Sequence, residues 1–368
     1  MRIQTFGLAL LLSAGPALAQ EPAPVPATSQ TSDTPAIKVG VSLFADYTVN
    51  QTPKIRDADG NDVALSAFQI TRSYINVTGN ISKHIAFRVT PDITRETGVG
   101  SSLSGSYTFR LKYAYAQWNL DNSMTPGSFA RFGMQPTPWV GFMDEVYRYR
   151  FQGPIFEERE RFLSSSEGFL SSSDTGATFR YNFPGEYGDV HAGIFNGESY
   201  ARPEVNDQKG FQVRGTLRPA PSHAALRGLR VTGFYDKDAY VKNADRTRAI
   251  VAVTFEHPHV NAGFNYLAAK DETSATRTAT EGRGWSAFVT PIIGKGWEGL
   301  LRFDQLKPTK NLSSQKKKRT IAGVAYWFPR QGGVSTALLF DVDNVTYDQF
   351  SPVRATERRI AMHALLHF

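Results

Sequence analysis

Residues 358–368 read "RRIAMHALLHF". Counted back from Phe368, Leu366, Ala364, Met362 and Ile360 share one face, while Arg359, Ala361, His363, Leu365 and His367 share the other. A two-residue period marks a β-strand, because successive side chains point to opposite faces of a sheet. Terminal residues usually fray unless something ties them down. Full alternation up to Phe368 therefore predicts a partner strand for this segment, at the stretch "IKVGVSLFADYTV" (37–49).

The same unit recurs along the chain. Alternating runs fall at 37–49, 68–79, 84–95, 107–120, 128–135, 174–183, 187–197 and 210–219. Further runs follow at 228–237, 246–257, 259–270, 284–292, 296–306, 318–328, 333–345 and 357–368, sixteen in all. In "FRLKYAY" (109–115) the apolar side is Phe109, Leu111, Tyr113 and Tyr115, with Arg110 and Lys112 opposite. In "RAIVAVTFE" (248–256), Ala249, Val251, Val253 and Phe255 oppose Arg248, Thr254 and Glu256. In "WEGLLRFD" (297–304), Trp297, Leu301 and Phe303 oppose Glu298, Arg302 and Asp304. The breaks alternate too: "NISKH", "FPGEYG", "EHPHV" and "IIGKG" are short, while "ESYARPEVNDQK", "AAKDETSATRTATEG" and "KPTKNLSSQKKK" are long.

An even strand number with short turns on one rim and long loops on the other is the pattern of an outer-membrane barrel. Hydrocarbon offers no hydrogen-bond partners, so a sheet spans it only when closed. The expected fold is all-β: a 16-stranded antiparallel transmembrane β-barrel with an inward-folded long loop three. Aromatics near strand ends (Trp118, Trp285, Trp297, Tyr326, Trp327 and Phe328) suit interfacial girdles. A soluble β-sandwich would also alternate, but accounts for neither the loop asymmetry nor the closing strand.

Composition agrees. Aromatics at 12% and 31 glycines favour strands and turns. Arg2, the apolar "FGLALLL" and the small-residue "ALA" at 17–19 predict a signal peptide over 1–19, cut before Gln20. Residues 20–36 are rich in Pro, Ala, Ser and Thr and predict a flexible periplasmic lead, leaving 37–368 for the barrel. Nothing downstream reaches the roughly 18 apolar residues a spanning helix needs. With no cysteine, packing and backbone hydrogen bonds must hold the exported chain. The net charge of +7 suggests nucleic acid, a membrane surface or anions, and export removes the first.

A 16-stranded lumen is too wide for side chains to fill and becomes an aqueous channel. Alternation assigns Arg72, Arg88, Arg110, Lys112, Arg131, Arg180, Arg214, Arg230, Arg248, Arg302 and Arg359 to its wall. Fewer acids face inward: Asp92, Asp236, Glu256, Glu298, Asp304 and Asp341. A basic wall lowers the energy of anions, most strongly at a constriction; the alternative is that each Arg pairs with a neighbouring acid. The longest break, 136–173, carries Trp139, Phe142, Tyr147, Tyr149, Phe151 and Phe156, which predict packing against the inside of the wall. Its charged residues are Asp144, Glu145, Glu157, Glu158, Glu160 and Glu167 against Arg148, Arg150, Arg159 and Arg161. An acidic loop opposite basic strands would set up a transverse field.

Other motifs carry less. "DADGND" (57–62) is similar to a calcium loop, but its Gly falls too early and Phe68 stands where the closing Glu belongs. "HPH" (257–259) lacks a third ligand, and no metal or cofactor is expected. "KKKR" (316–319) is expected on the outer rim, solvated or against lipopolysaccharide phosphates. "SSSEGFLSSS" (164–173) offers serines, but a nucleophile needs a base in reach and an oxyanion site. His363 and His367 fall inward, away from the outer wall that barrel enzymes use.

The chain resembles the outer-membrane phosphate-selective porin O and P family. The resemblance is carried by "RSYINVTGNI" (72–81), "FGMQPTPWV" (132–140) with the aromatic, charged run after it, "HAGIFNGE" (191–198) and the last strand. It implies a homotrimer of 16-stranded barrels narrowed by loop three, and recognition of Phe368 by the barrel-assembly machinery. Phosphate-selective members use an arginine ladder and a lysine ring, whereas loop three here has no lysine and is net acidic. The expected function is a channel for small hydrophilic solutes with a modest anion preference, seated among lipid and lipopolysaccharide. A phosphate- or polyphosphate-selective channel is the alternative, and a barrel enzyme a remote one.

Overall fold

The computed structural model describes residues 35–368 except 99, 164, 166 and 313. The expected signal peptide, and all of the lead but its last two residues, lie outside the described residues. The strands are β1 (Ala36–Arg56), β2 (Asp62–Asn80), β3 (Ile85–Arg95), β4 (Tyr107–Asn119), β5 (Phe129–Pro136) and β6 (Ser173–Asn182). They continue as β7 (Gly188–Phe195), β8 (Gly210–Leu217), β9 (Leu229–Val241), β10 (Ala244–His257) and β11 (Val260–Asp271). The last are β12 (Thr280–Gly294), β13 (Trp297–Lys307), β14 (Lys316–Trp327), β15 (Ser335–Asp348) and β16 (Glu357–His367).

Each strand pairs antiparallel with its sequence neighbours, and β1 also pairs with β16, closing a 16-stranded barrel. The seam runs from Ser42 opposite His367 to Thr52 opposite Arg358, and Val41 and Phe368 exchange backbone hydrogen bonds of 2.9 and 3.1 Å. Closure leaves no row of unpaired N–H and C=O groups for lipid to meet. Outward side chains such as Phe68, Phe109, Phe132, Val251, Leu301, Phe340 and Met362 are exposed, as an apolar band requires, and Phe368 is half exposed.

Several expectations need correction. The register between β3 and β4 slips by one residue where Thr90 faces Tyr113 and Pro91 faces Leu111. Pro91 cannot donate to the ladder, and a bulge absorbs the defect. Lys112 and Tyr113 are therefore both buried inside, and Tyr113 and Tyr115 leave the outward face they were assigned with Phe109 and Leu111. "KKKR" belongs to β14 rather than a rim loop: Lys317 reaches Glu160 (2.8 Å) and Arg319 reaches Asp343 (2.8 Å) on the inner face. Trp327 also points inward, so it is not a girdle residue. Loop lengths alternate less strictly than expected. On the long-loop rim, β9 and β10 are joined by Lys242 and Asn243 alone, with Asn243 at φ 64°. On the other rim, 218–228 is a long connection between β8 and β9. "DADGND" forms a turn in which the Asp57 carboxylate accepts the backbone N–H of Asp59 (3.0 Å) and Asn61 (2.9 Å).

Candidate functional site: a basic arc facing a loop inside the barrel

The segment between β5 and β6 folds as helix α1 (Pro138–Tyr147) and the single turn α2 (Phe156–Arg159). Pro138 opens α1, where a missing N–H costs nothing, and Arg148 closes it in the left-handed region at φ 65°. Its aromatics touch wall residues of widely separated strands. Trp139 meets Phe234 of β9 (5.6 Å), Tyr147 meets Phe288 of β12 (5.2 Å), Tyr149 meets Trp327 of β14 (6.0 Å) and Phe151 meets Phe44 of β1 (6.5 Å). One segment reaches all four walls only by lying in the lumen.

The wall is shaped to receive it. β12 carries Gly282 and Gly284 where a Cβ would stand 2.8 Å from the Phe162 ring and 2.4 Å from the Phe156 ring. Polar contacts complete the seat: Arg302 donates to the Pro154 carbonyl (3.0 Å), Arg248 to the Phe169 carbonyl (2.9 Å) and Asn261 to the Val146 carbonyl (2.5 Å). Inward apolar residues Phe234, Ile250, Leu267, Phe288, Leu300, Ile321 and Leu339 line the seat. The signal for them is present in the sequence as strands that are apolar on both faces, such as "LLRF" and "ALLF".

Most loop charges are consumed by the seat. Arg148 (3.5 Å) and the Tyr149 hydroxyl (2.7 Å) both reach Glu298. Arg150 pairs with Glu158, and Arg159 donates to Gln152 (3.3 Å). Glu160 takes Lys317 and Arg319, Glu167 takes Arg202, and Arg161 is exposed. Burial works against the Glu158 carboxylate, but Arg150, Lys112 and Arg72 hold its pKa below the ordinary value. Glu157 differs: it is fully buried and neither carboxylate oxygen has a hydrogen-bond partner. Burial pushes its pKa up to about 7, and the Trp139 indole, without a bond of good geometry, offsets only part of that.

All eleven assigned bases have side chains buried or half-buried toward the interior. Arg72 (2.5 Å) and Arg110 (3.0 Å) share Asp92, while Arg180 (3.2 Å) and Arg214 (2.5 Å) share Asp189. Arg230 pairs with Glu256, Arg248 with Asp271, Arg302 with Asp304 (2.8 Å) and Arg359 with Asp343 (3.2 Å). Arg88 also bonds Thr90 and Asn76, Lys112 bonds Tyr74 (3.2 Å) and Arg131 bonds Gln117 (2.8 Å). Asp236 is also buried, and His363 sits between Asp46 (2.7 Å) and Asp341 (2.9 Å).

More acids face inward than the six expected, and more bases too, Arg246 and Arg319 among them. Asp46, Asp189, Asp238, Asp271 and Asp343 are buried there as well. Asp238 and Asp271 lie just past the expected ends of their strands, where they read as loop. The charges are instead segregated around the barrel. Strands β2–β8 present Arg72, Arg88, Arg110, Lys112, Arg131, Arg180 and Arg214 against Asp92, Asp189 and, at the outer end, Asp174. The remaining strands carry slightly more inward acids than bases, and most of the loop's seat lies on their inner face, with α1 also packing against β7 and β8.

Between α1 and this basic arc lies a cavity lined by Arg88, Arg131, Arg180 and Arg214 on the wall and by Asp144 and Glu145 on the helix. Glu145 keeps some exposed surface on it. Being surrounded by protein raises its pKa, and Arg180, Arg214, Arg131 and Arg230 pull the other way.

No family model and no curated protein matches the chain. Solved structures do. The anion-selective porin from Comamonas acidovorans has a TM-score of 0.62 at 10% identity, over 91% of this chain and 99% of that one. OmpF of Salmonella typhi, in a complex with daunomycin, has 0.62 at 12% identity, over 91% and 98%. OmpT of Vibrio cholerae in its trimer form has 0.58 at 11% identity, over 91% and 100%. At such identities the likeness speaks to architecture: this chain has the closed 16-stranded barrel fold of outer-membrane porins.

Proposed function

We propose that the protein is an outer-membrane channel through which small hydrophilic solutes diffuse, with a preference for anions. The observation that carries the reading is the basic arc, in which β2–β8 present seven bases against three acids across a cavity from α1. Loop three packs mostly on β9–β16, with α1 also against β7 and β8, and its Asp144 and Glu145 face the arc across the cavity. Asp144 and Glu145 opposite Arg131, Arg180 and Arg214 make a transverse field, and the excess of bases favours anions. Similar proteins include one titled anion-selective and one titled as a trimer, which supports the same selectivity and a homotrimer here. A signal peptide over 1–19, a periplasmic lead over 20–36, contact with lipopolysaccharide and recognition of Phe368 by assembly machinery belong to this reading.

Phosphate selectivity has less support, because two carboxylates face the arginines at the cavity. An enzyme has less still. Ser42 lies 2.8 Å from His367, a nucleophile–base distance, but Ser42 is 1% exposed and the backbone around it is engaged in the seam. That geometry offers no approach for a substrate and no oxyanion donors.

The test is planar-bilayer recording across a salt gradient. Discrete conductance steps with a reversal potential on the chloride side are expected. Absence of steps, or a clear cation preference, would sink the reading.

A further inference from the structure

We propose that the cavity between α1 and the basic arc is a selectivity subsite for organic monocarboxylates with a flat hydrocarbon body, such as benzoate. The inference rests on the channel reading and deepens it.

The first observation is how the arginines are held. Arg131 lies over the Phe129 ring at 3.9 Å, Arg88 over Tyr113 at 4.4 Å and Arg214 over Phe142 at 4.6 Å, and all six residues line the one cavity. Stacked flat on its ring, the Arg131 guanidinium gives Nε to Gln117 and has Nη2 left for a carboxylate, while Arg88 and Arg214 donate to Thr90, Asn76 and Asp189 and add positive charge. The rings beneath, with Pro138 and Gly141 of α1, give apolar surface beside these cations. Cation and hydrocarbon therefore alternate along one wall.

The second observation is unmet donors. Among the lining residues, the donors Arg131 Nη2 and Arg214 Nε are buried without a hydrogen-bond partner. Buried donors left unpaired are costly, and a guanidinium on its long stem swings readily to meet an acceptor. A carboxylate entering the cavity offers two oxygens to this group.

The third observation is what lies opposite. Asp144 and Glu145 line the helix side. They repel a dianion about twice as strongly as a monoanion, by simple Coulomb proportionality. A tetrahedral phosphate needs donors on all sides, and here donors come from the wall alone. A carboxylate directs its charge one way and its hydrocarbon the other, which matches the cavity.

The test is single-channel recording in potassium chloride with benzoate, cyclohexanecarboxylate, acetate or inorganic phosphate added in turn. Benzoate should block chloride current up to about tenfold more tightly than acetate, the scale of the added ring contact, and more tightly than phosphate. Cyclohexanecarboxylate should fall between benzoate and acetate. Phe129→Leu should bring benzoate down toward acetate, and Arg131→Gln should weaken both; their conductance steps show that the variants still fold. Phosphate blocking as well as benzoate, or benzoate no better than acetate, would overturn the subsite while leaving the channel standing. No steps at all would remove the channel reading beneath it.

Discussion

Arg131 and Glu157 show what single residues contribute. Arg131 makes no ion pair among the described residues and leans on Gln117 and two rings. Its charge therefore reaches the cavity with little cancellation, unlike that of Arg302, clamped by Asp304. Arg131→Gln should move the reversal potential toward zero in a salt gradient, while Arg302→Gln should move it little. Glu157 is a carboxyl held without partners, and its pKa rises from 4.5 to about 7. Raised above its unfolded value, it is protonated when docked. Docking is therefore strongest below pH 4.5 and weakens as pH climbs through 7. The full difference is about 3 kcal/mol, at 1.36 kcal/mol per pH unit. Glu157→Gln should remove the pH dependence of open-channel noise between those limits. Undiminished pH dependence in the variant would place the titration elsewhere. Alternation located the inward bases, but no local pattern reveals that Arg131 lacks an acid while Arg302 has one. That depends on which strand lies alongside.

Loop three is the element on which the site turns. Its aromatic content predicts an inward position, and it meets the wall in complementary shapes: Phe156 and Phe162 against Gly284 and Gly282, Trp139 against Phe234. Gly284→Val puts a branched side chain where the Phe156 ring stands and should unseat the loop. Trp139→Ala should cost about 3 kcal/mol or more of packing. Both variants should show larger, noisier conductance with weaker ion selectivity. Unchanged conductance would mean that the loop does not set the opening. The seat itself was poorly legible. Inward apolar residues such as Ile250, Leu300 and Leu339 look like ordinary strand residues until a loop from far along the chain covers them. The bulge at Thr90–Pro91 was likewise hidden, and it turned Tyr113 and Tyr115 inward, Tyr113 onto the cavity.

The whole molecule depends on its seam. Across it, His363 of β16 bridges Asp46 of β1 and Asp341 of β15, all buried. His363→Ala leaves two carboxylates facing each other without the imidazole between, at a cost on the order of 3 kcal/mol. Its heat-induced unfolding temperature in detergent should fall below that of the parent; an equal temperature would show that the bridge does not hold the seam. By itself the sequence determined the strand number, the antiparallel meander and the pairing of first strand with last. Those follow from a two-residue period and the demand that no backbone group face lipid unpaired. Only the tertiary structure decided that the charges separate into a basic arc and a slightly acidic remainder, and that most of the loop's seat lies on the latter. Cancellation between charges and the docking of a loop depend on distances between residues far apart in the chain, and periodicity along the chain carries no information about those.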